Sequence, residues 1–363
     1  MTKYSRRVRL KGSGGCGTRK GIVLKASYCW IHSWNLRISR GNIKEQRGRN
    51  MSRIMVVAIG GNAILQPGQK GTVQEQLDNI KKSCRPIIDL IKKGHKVVLT
   101  HGNGPQVGNV LLRSEAARNT VPTQPLDVCV AETQGSLGYL ITQALGNMME
   151  EQGMPRKITT VFTQALVDAG DPAFKNPTKP IGPFYSRDRA HELAAAEKII
   201  MAEDSGRGYR RLVPSPEPVS IIEKDVIKDL VTGGYVVVAA GGGGVPVVQQ
   251  GSTLTGIEAV IDKDWASALL AREIGAARLV ILTAVDHVKI NFGQPNEQDL
   301  KELTVKEAKQ YLAAGQFPPG SMGPKIEAAI GFLERGGQEV IITSMEKVKP
   351  ALSGKTGTRI ISQ

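Results

Sequence analysis

The stretch IMVVAIGGNA, residues 54–63, decides the fold class of this chain. Residues 54–59 form a short, unbroken apolar run, which is typical of a strand covered by helices on both faces. The run ends in Gly60-Gly61-Asn62, where we expect the chain to turn. The stretch therefore predicts an interior strand of a parallel sheet that lies between two layers of helices.

Strands and helices continue to alternate after this stretch. Apolar residues at three- to four-residue spacing predict a helix over residues 73–91, closed by Gly94. Further strands are predicted at residues 96–100, 158–162, 235–240, 279–283 and 340–343. Further helices are predicted around residues 137–148, 266–274 and 326–333, and a capping box opens another at Thr304. The pattern predicts an α/β fold, an open three-layer αβα sandwich with a mainly parallel central sheet.

Residues 165–220 interrupt this alternation. Proline occurs seven times in this segment, among polar residues, and a helical pattern covers residues 190–201. Such a segment is too long for an ordinary connection between two elements of the sheet. We therefore expect a small subdomain that protrudes from the sandwich.

The positive charge of the chain is concentrated at its start. The pI is about 9.7 and the net charge +15, but residues 1–50 carry thirteen lysines or arginines and a single acid, so the rest is nearly neutral. This extension could be a transit peptide, a nucleic-acid-binding arm, or a stretch that precedes a natural start at Met51. We favour the third interpretation, because a strand begins three residues after Met51. We expect a disordered, functionally silent extension and no nucleic-acid partner.

Cysteine content and hydropathy predict a cytoplasmic protein. The four cysteines form no CxxC pair, which argues against a disulfide framework or a zinc site and favours reduced thiols. No apolar run reaches the roughly 20 residues that are needed to cross a bilayer, so we expect no membrane association.

Glycine clusters follow three of the predicted strands. They are Gly60-Gly61-Asn62, Gly102-Asn103-Gly104, and residues 241–244, which include Gly242 and Gly243. Each cluster alone indicates only a turn. Because the carboxyl ends of parallel strands meet at one edge of a sheet, the three together predict a row of exposed backbone N–H groups that holds phosphate.

Two lysines stand where a phosphate would need positive charge. Lys325 follows Pro324 at the predicted start of a helix, where a cation is unfavourable unless an anion binds there or solvent screens the charge. Lys263 lies between Asp262 and Asp264, just before another predicted helix. Asp264 could be the N-cap of that helix, or it could hold both lysines in place; the spacing allows both roles.

The sequence contains no nucleophile–base motif. There is no Ser/His/Asp order and no HExxH, and the GxGxxG match at residues 12–17 lies in the basic extension, outside any strand-to-helix context. An acceptor that is already an oxyanion needs no base, only in-line positioning and positive charge. The residues therefore predict an enzyme that moves a phosphoryl group between ATP and a very small carboxylate-type acceptor.

These residues together resemble the carbamate kinases of the amino-acid kinase superfamily. The resemblance covers residues 51–363. It rests on VAIGGNA (57–63), HGNGPQVG (101–108), FKNPTKPIGPF (174–184), GRGYRR (206–211), VPSP (213–216), GGGGVP (241–246), AVIDKD (259–264) and GSMGPK (320–325).

The resemblance implies a homodimer that reversibly converts MgATP and carbamate to ADP and carbamoyl phosphate, often toward ATP in arginine catabolism. Mg²⁺ would arrive with the nucleotide, with no metal ligands from the protein. The acceptor would bind in a lobe of about residues 51–250, and the nucleotide in a lobe of about residues 251–363.

The resemblance also implies roles for individual residues. Lys263 and Lys325 would neutralise charge on the transferring group and contact the nucleotide, Asp264 would organise them, and Lys179 would reach the acceptor from the subdomain. The remaining site residues would bind the acceptor and the transferring group (Gly60, Gly61, Asn62, Gly102, Asn103, Gly104, Gly242, Gly243) or the nucleotide (Thr283, Asp286, Met322).

Two alternatives to a carbamate kinase remain. Related kinases that phosphorylate acetylglutamate or glutamate carry a lysine in the first strand, where this chain has Ala58. A non-catalytic nucleotide-binding regulator is disfavoured because Lys263, Asp264 and Lys325 are all present.

Overall fold

The apolar run at residues 54–59 forms an interior strand of the central sheet, Ile54–Ile59, and all six of its residues are buried. A computed structural model describes residues 54–363, apart from residues 67, 205 and 319 and the side chain of Asn62. The expectations for residues 1–50 and for Met51 lie outside the described residues.

The strands of the described chain include all those that the sequence predicts. In chain order they are β1 Ile54–Ile59, β2 Lys96–His101, β3 Ile158–Thr160, β4 Gln164–Val167, β5 Lys179–Tyr185, β6 Ile200–Glu203, β7 Tyr209–Val213, β8 Pro218–Ile221, β9 Val236–Val238, β10 Val245–Gln250, β11 Thr253–Gly256, β12 Arg278–Thr283, β13 Val288–Ile290, β14 Gln298–Leu300, β15 Glu302–Thr304, β16 Glu339–Ser344 and β17 Thr358–Ile361.

The helices of the described chain alternate with these strands. They are α1 Val73–Lys92, α2 Gly104–Ala116, α3 Leu126–Glu151, α4 Arg187–Glu197, α5 Lys224–Thr232, α6 Lys263–Glu273, α7 Val305–Ala313, α8 Gly323–Leu333 and α9 Val348–Ala351. The capping box predicted at Thr304 is present, since its side chain accepts from Glu307 N–H and the Glu307 carboxylate accepts from Thr304 N–H.

A mainly parallel sheet forms the centre of the protein, as predicted. Within the described residues its order is β15-β17-β16-β12-β1-β2-β9-β3, and β17 is antiparallel to β16. The sheet buries both faces: Val56 and Ile281 pack on one side with α6 and α8, while Val57 and Val280 pack on the other with α1 and α3. The fold is therefore the predicted three-layer αβα sandwich.

The segment predicted to form a subdomain contains a sheet of its own, and we call residues 179–213 the subdomain. Its three-stranded sheet, β5-β7-β6, and α4 span residues 179–213, whereas β4 and β8 at the ends of the predicted segment pair within a second sheet, β11-β10-β4-β8. The helix predicted over residues 190–201 ends at Glu197, because Lys198 adopts a left-handed conformation and β6 follows.

Two glycines set the contact between the subdomain and α2. A Cβ built on Gly108 of α2 would lie 1.9 Å from the Cα of Gly182 of β5. No side chain fits between the two backbones at this point. Ion pairs flank the contact, with Arg211 to Glu115 at 2.6 Å and Arg118 to Glu197 at 2.8 Å.

None of the helices in the described part of the chain is both long and apolar enough to span a bilayer.

Candidate active site

Three glycine-rich turns lie side by side at the carboxyl edge of the central sheet. β1, β2 and β9 are neighbours in the sheet and run parallel. Gly60-Gly61 follows β1 in a short 3-10 helix, Gly102-Asn103-Gly104 leads into α2, and Gly241–Gly243 forms a second 3-10 helix after β9. The predicted convergence of the glycine clusters is therefore confirmed.

The backbone conformation of the turn after β9 requires glycine, because side chains would be strained there. Gly242, Gly243 and Gly244 all have positive φ, at 65°, 93° and 91°. A Cβ on Gly242 would lie 2.2 Å from the Nδ2 atom of Asn103. The Asn103 side chain cannot move away freely, because it is buried and its Nδ2 donates to Thr133 Oγ1 at 2.8 Å.

We expect Gly242→Ala to lower the free energy of unfolding by about 3 kcal/mol, since strain at positive φ adds to the clash with Asn103. Gly153→Ala is the matched control: its φ of 69° is similar, but a Cβ there would meet nothing within 4 Å. The control should cost only about 1 kcal/mol. Urea denaturation measures both values, and equal costs would show that the Asn103 contact is unimportant.

Lys263 and Lys325 converge on one buried carboxylate. Lys263 Nζ lies 2.5 Å from Asp264 Oδ1, and Lys325 Nζ lies 3.2 Å from Asp264 Oδ2. The Asp264 side chain is 3% exposed, while those of the two lysines are 12% and 15% exposed. The arrangement predicted from the sequence, in which Asp264 holds both lysines, is therefore present.

The environment of Lys263 favours loss of its proton. Burial lowers the pKa of Lys263, and the neighbouring charge of Lys325 lowers it further, whereas Asp264 raises it. The net shift is downward from the ordinary value. An anion bound between the two ammonium groups would counter this effect, because it would stabilise the charged form.

The start of α6 corrects one expectation. The helix begins at Lys263, and its N-cap is Asp262, whose Oδ1 accepts from Asp264 N–H at 2.8 Å. The alternative in which Asp264 caps the helix is therefore wrong. The helix starts before Asp264 rather than after it, which leaves the Asp264 carboxylate free to bridge the lysines.

Lys179 reaches this region from the subdomain, through an ion pair that the sequence did not predict. Its Nζ lies 2.5 Å from Asp262 Oδ2. Burial alone would raise the pKa of Asp262, but the charges of Lys179 and Lys263 hold it well below its ordinary value. Asp262 thus connects the subdomain to the helix that carries Lys263.

Contacts to its main chain and to its aliphatic side-chain stem hold Lys263 in position. Ser267 Oγ donates to the Lys263 carbonyl at 2.5 Å and lies 2.6 Å from Thr100 Oγ1 of β2. A Cβ on Gly102 would lie 3.3 Å from Lys263 Cδ, so glycine at this position makes room for the lysine stem. The second glycine turn and α6 are thereby packed together.

His101, at the end of β2, packs under the glycine turns. Its ring is buried, and burial lowers its pKa to about 4, so the imidazole is neutral at physiological pH. Nδ1 lies 3.1 Å from the Gly102 carbonyl, and a Cβ on Gly241 would lie 2.5 Å from Nε2. His101 is therefore a packed, hydrogen-bonding residue at the base of the turns.

A cleft of about 830 Å³ opens at this edge of the sheet. Among the predicted residues, Gly60, Gly61, Lys263, Thr283 and Lys325 line it. Other lining residues, which the sequence did not predict, come from α1 and from the end of β16: Asn79, Lys82, Ser83, Arg85, Pro86, Ser344, Met345 and Glu346. No local motif marks these positions.

The other predicted residues do not line the cleft. Gly102, Asn103, Gly104, Gly242 and Gly243 belong to the neighbouring glycine turns. Asp286 and Met322 lie outside the cleft lining, and Met322 packs partly buried against the core. The backbone of Asn62 is in the first turn, while its side chain lies outside the described residues.

Comparison with known proteins places this site in a known class. The amino acid kinase family model matches residues 53–344. The carbamate kinase of Pyrococcus furiosus is 49% identical over 313 residues, which cover 86% of this chain and 100% of that protein.

Solved structures agree with the sequence comparison. Carbamate kinase from Giardia lamblia bound to citric acid superposes with a TM-score of 0.83 at 43% identity, covering 86% of this chain and 99% of that chain. The same enzyme bound to AMP-PNP gives a TM-score of 0.79 at 44% identity, with the same coverage.

The fold and the cationic, glycine-lined edge define a phosphoryl-transfer enzyme. The chain belongs to the amino acid kinase family and, within it, to the carbamate kinases.

Proposed function

We propose that this protein catalyses the reversible transfer of a phosphoryl group between ATP and carbamate, giving ADP and carbamoyl phosphate. The observation that carries the proposal is the pair of lysines on Asp264 beside the glycine turns. In the forward reaction a carbamate oxygen forms a bond to the γ-phosphorus as the bond from that phosphorus to the bridging oxygen of ADP breaks. Physiologically, we infer net ATP formation during arginine catabolism.

The residues of the site suit this transfer. Charge builds up on the oxygens of the transferring group, and fixed ammonium groups in a partly buried site stabilise it. Lys263 and Lys325 would supply this charge, and backbone N–H groups of the turn at Gly60-Gly61 and of the start of α2 would orient the group. A base is not required, because carbamate is already an anion, and His101 is neutral and packed.

The nucleotide would bind with Mg²⁺. Within the described residues no cluster of three or more histidine, cysteine, aspartate or glutamate side chains could hold a metal ion. Asp262 and Asp264 are ion-paired with lysines, so the ion would be held by the phosphate oxygens of ATP. Mg²⁺ bound there would neutralise phosphate charge, together with the lysines. Thr283, Asp286 and Met322 are proposed to contact the nucleotide.

We place the acceptor beside the subdomain, with Lys179 reaching toward it, and the nucleotide at the lobe of residues 251–363. We also place the reaction in the cytoplasm, where the buried free thiols of Cys84 and Cys129 would stay reduced.

The decisive experiment is ATP formation from ADP and carbamoyl phosphate with MgCl₂, by a chain that starts at Met51. We expect turnover with this pair, and ADP release from ATP with carbamate but not with N-acetylglutamate or glutamate. Activity with an amino-acid acceptor alone would favour another acid kinase. Nucleotide binding without turnover of any acceptor would favour a regulator.

We further propose that two copies associate through the face formed by α3 and β3. β3 is an edge strand of the central sheet, and Tyr139 and Phe162 expose 62% and 60% of their surface beside it. The Phe162 ring packs near Gly135, one helical turn from Tyr139. Exposed aromatic side chains next to an open sheet edge favour protein association.

We expect the double variant Tyr139→Glu, Phe162→Glu to sediment as a monomer, since burying two carboxylates in an interface is unfavourable. Phe292→Glu is the control, because Phe292 is equally exposed, at 63%, in a loop after β13. Analytical ultracentrifugation distinguishes the two forms. A dimer that survives the double substitution would locate the interface elsewhere.

A further inference from the structure

Arg210 is a buried charge to which the proposed reaction assigns no role. It lies on β7 and is 8% exposed. Its Nε donates to the Gly182 carbonyl at 3.0 Å, and its Nη1 donates to Asp204 at 3.1 Å. Among the described residues, its Nη2 has no hydrogen-bond partner. A guanidinium N–H left unpaired in the interior is unfavourable, so a ligand that pairs with it would be bound strongly.

The unpaired nitrogen lies against the first turn of α2. A Cβ built on Gly104 would lie 3.8 Å from Arg210 Nη2 and 4.0 Å from the Pro180 carbonyl. α2 has 13 residues, and its N-cap, Asn103, makes no capping hydrogen bond through its side chain. The start of a helix carries partial positive charge. The positive end of the helix and a guanidinium nitrogen without a hydrogen-bond partner therefore face each other here, and an anion bound between them would interact favourably with both.

The same helical turn adjoins the phosphoryl site on its other side. Gly102 packs against the stem of Lys263, two residues before Gly104 packs against Arg210. Pro180 follows Lys179, whose ammonium is paired with Asp262 at the start of α6. The start of α2 thus lies between Lys263, on the side of the transferring group, and Arg210, on the side of the subdomain.

We propose that Arg210 Nη2, together with the N-terminus of α2, binds the acceptor through the oxygen that does not receive the phosphoryl group. This inference rests on the proposed function. The ligand class is a small planar group with a hydrogen-bond-accepting oxygen: the carboxylate of carbamate in one direction and the carbonyl oxygen of carbamoyl phosphate in the other. A guanidinium matches such a group because its N–H donors lie in one plane.

The test is Arg210→Lys, assayed with ADP and carbamoyl phosphate. Lysine keeps the charge beside Asp204 but cannot supply the second donor at Nη2. We expect the KM for carbamoyl phosphate to rise about 10- to 100-fold, the scale of one lost charged hydrogen bond. The KM for ADP should stay within about twofold, because ADP does not contact Arg210 under this proposal.

Arg207→Lys is the matched control. Arg207 also pairs with Asp204 and also lies over the Phe184 ring, at 4.9 Å against 5.1 Å for Arg210, but its side chain is 52% exposed. We expect both KM values to be unchanged in this variant. If Arg210 only stabilises the subdomain, Arg210→Lys will change both KM values equally or will change neither of them. Either result overturns the proposal.

Gly104→Ala provides an independent test should Arg210→Lys fail to fold. Its Cβ would meet Arg210 only at ordinary contact distance, so the fold is retained, but the methyl group would occupy the position proposed for that oxygen of the acceptor. A selective rise in the KM for carbamoyl phosphate supports the proposal, and an unchanged value overturns it. A wild-type chain inactive with carbamoyl phosphate and ADP would instead overturn the proposed function, and this inference with it.

Discussion

Lys263→Ala is expected to lower the turnover of ATP formation from ADP and carbamoyl phosphate by roughly 10²–10³-fold, which is the scale of removing one pre-organised charge donor. Lys263 is 12% exposed and is fixed by Asp264 and by the packing of its stem against Gly102. We expect a similar loss for Lys325→Ala.

The surface pair Lys309–Glu334 provides the control for this prediction. Lys309 also pairs with a carboxylate at 2.5 Å, but the two side chains are 53% and 45% exposed. Lys309→Ala should therefore leave turnover within about twofold, since exposed ion pairs contribute little. A thermal unfolding curve for each variant checks that the fold is retained. Losses below about threefold at both Lys263 and Lys325 would exclude these lysines from the mechanism.

Asp264→Asn should produce the second large effect, a loss in turnover of about 10²-fold together with a changed pH profile. Asp264 is the carboxylate that both lysines share, and it raises the pKa of Lys263 against the effects of burial and of Lys325. Without its negative charge the pKa of Lys263 falls further. The charged form of Lys263 is the active one, so turnover falls as the pH rises. In Asp264→Asn this fall should begin at a lower pH than in the wild type.

The measurement is the pH dependence of turnover for the wild type and for Asp264→Asn. The alkaline limb of the variant should lie at lower pH than that of the wild type. Glu334→Gln, which removes the carboxylate of the exposed surface pair, should leave the alkaline limb in place. A variant profile that is lower but not displaced would mean that Asp264 positions the lysines without tuning their charge.

The fold could be predicted because its signals are local in the sequence. An unbroken apolar run such as residues 54–59 fits a buried parallel strand, and both faces of β1 are indeed covered. The glycine clusters converge because their strands are parallel neighbours. Element ends were harder to predict: the start of α6 depends on which of two aspartates caps the helix, and the sequence permits either.

The parts of the site that escaped prediction depend on contacts between distant residues. The Lys179–Asp262 pair joins positions 83 residues apart, and no spacing rule connects them. Arg210 belongs to a motif recognised in the sequence, but only the fold shows that its side chain is buried beside the start of α2 with one nitrogen unpaired. Lys82 and Ser344 line the cleft because α1 and β16 approach it, which local patterns do not reveal.

The glycine contact between α2 and β5 limits how freely the subdomain can be exchanged between related enzymes. Gly108 and Gly182 touch through main-chain atoms, so one segment cannot be transplanted without the other. A chimaera that inherits only one of the two glycines would be forced apart at the junction, with Lys179 and Arg210 displaced from their partners. Recombination within this family should therefore preserve the two positions as a linked pair.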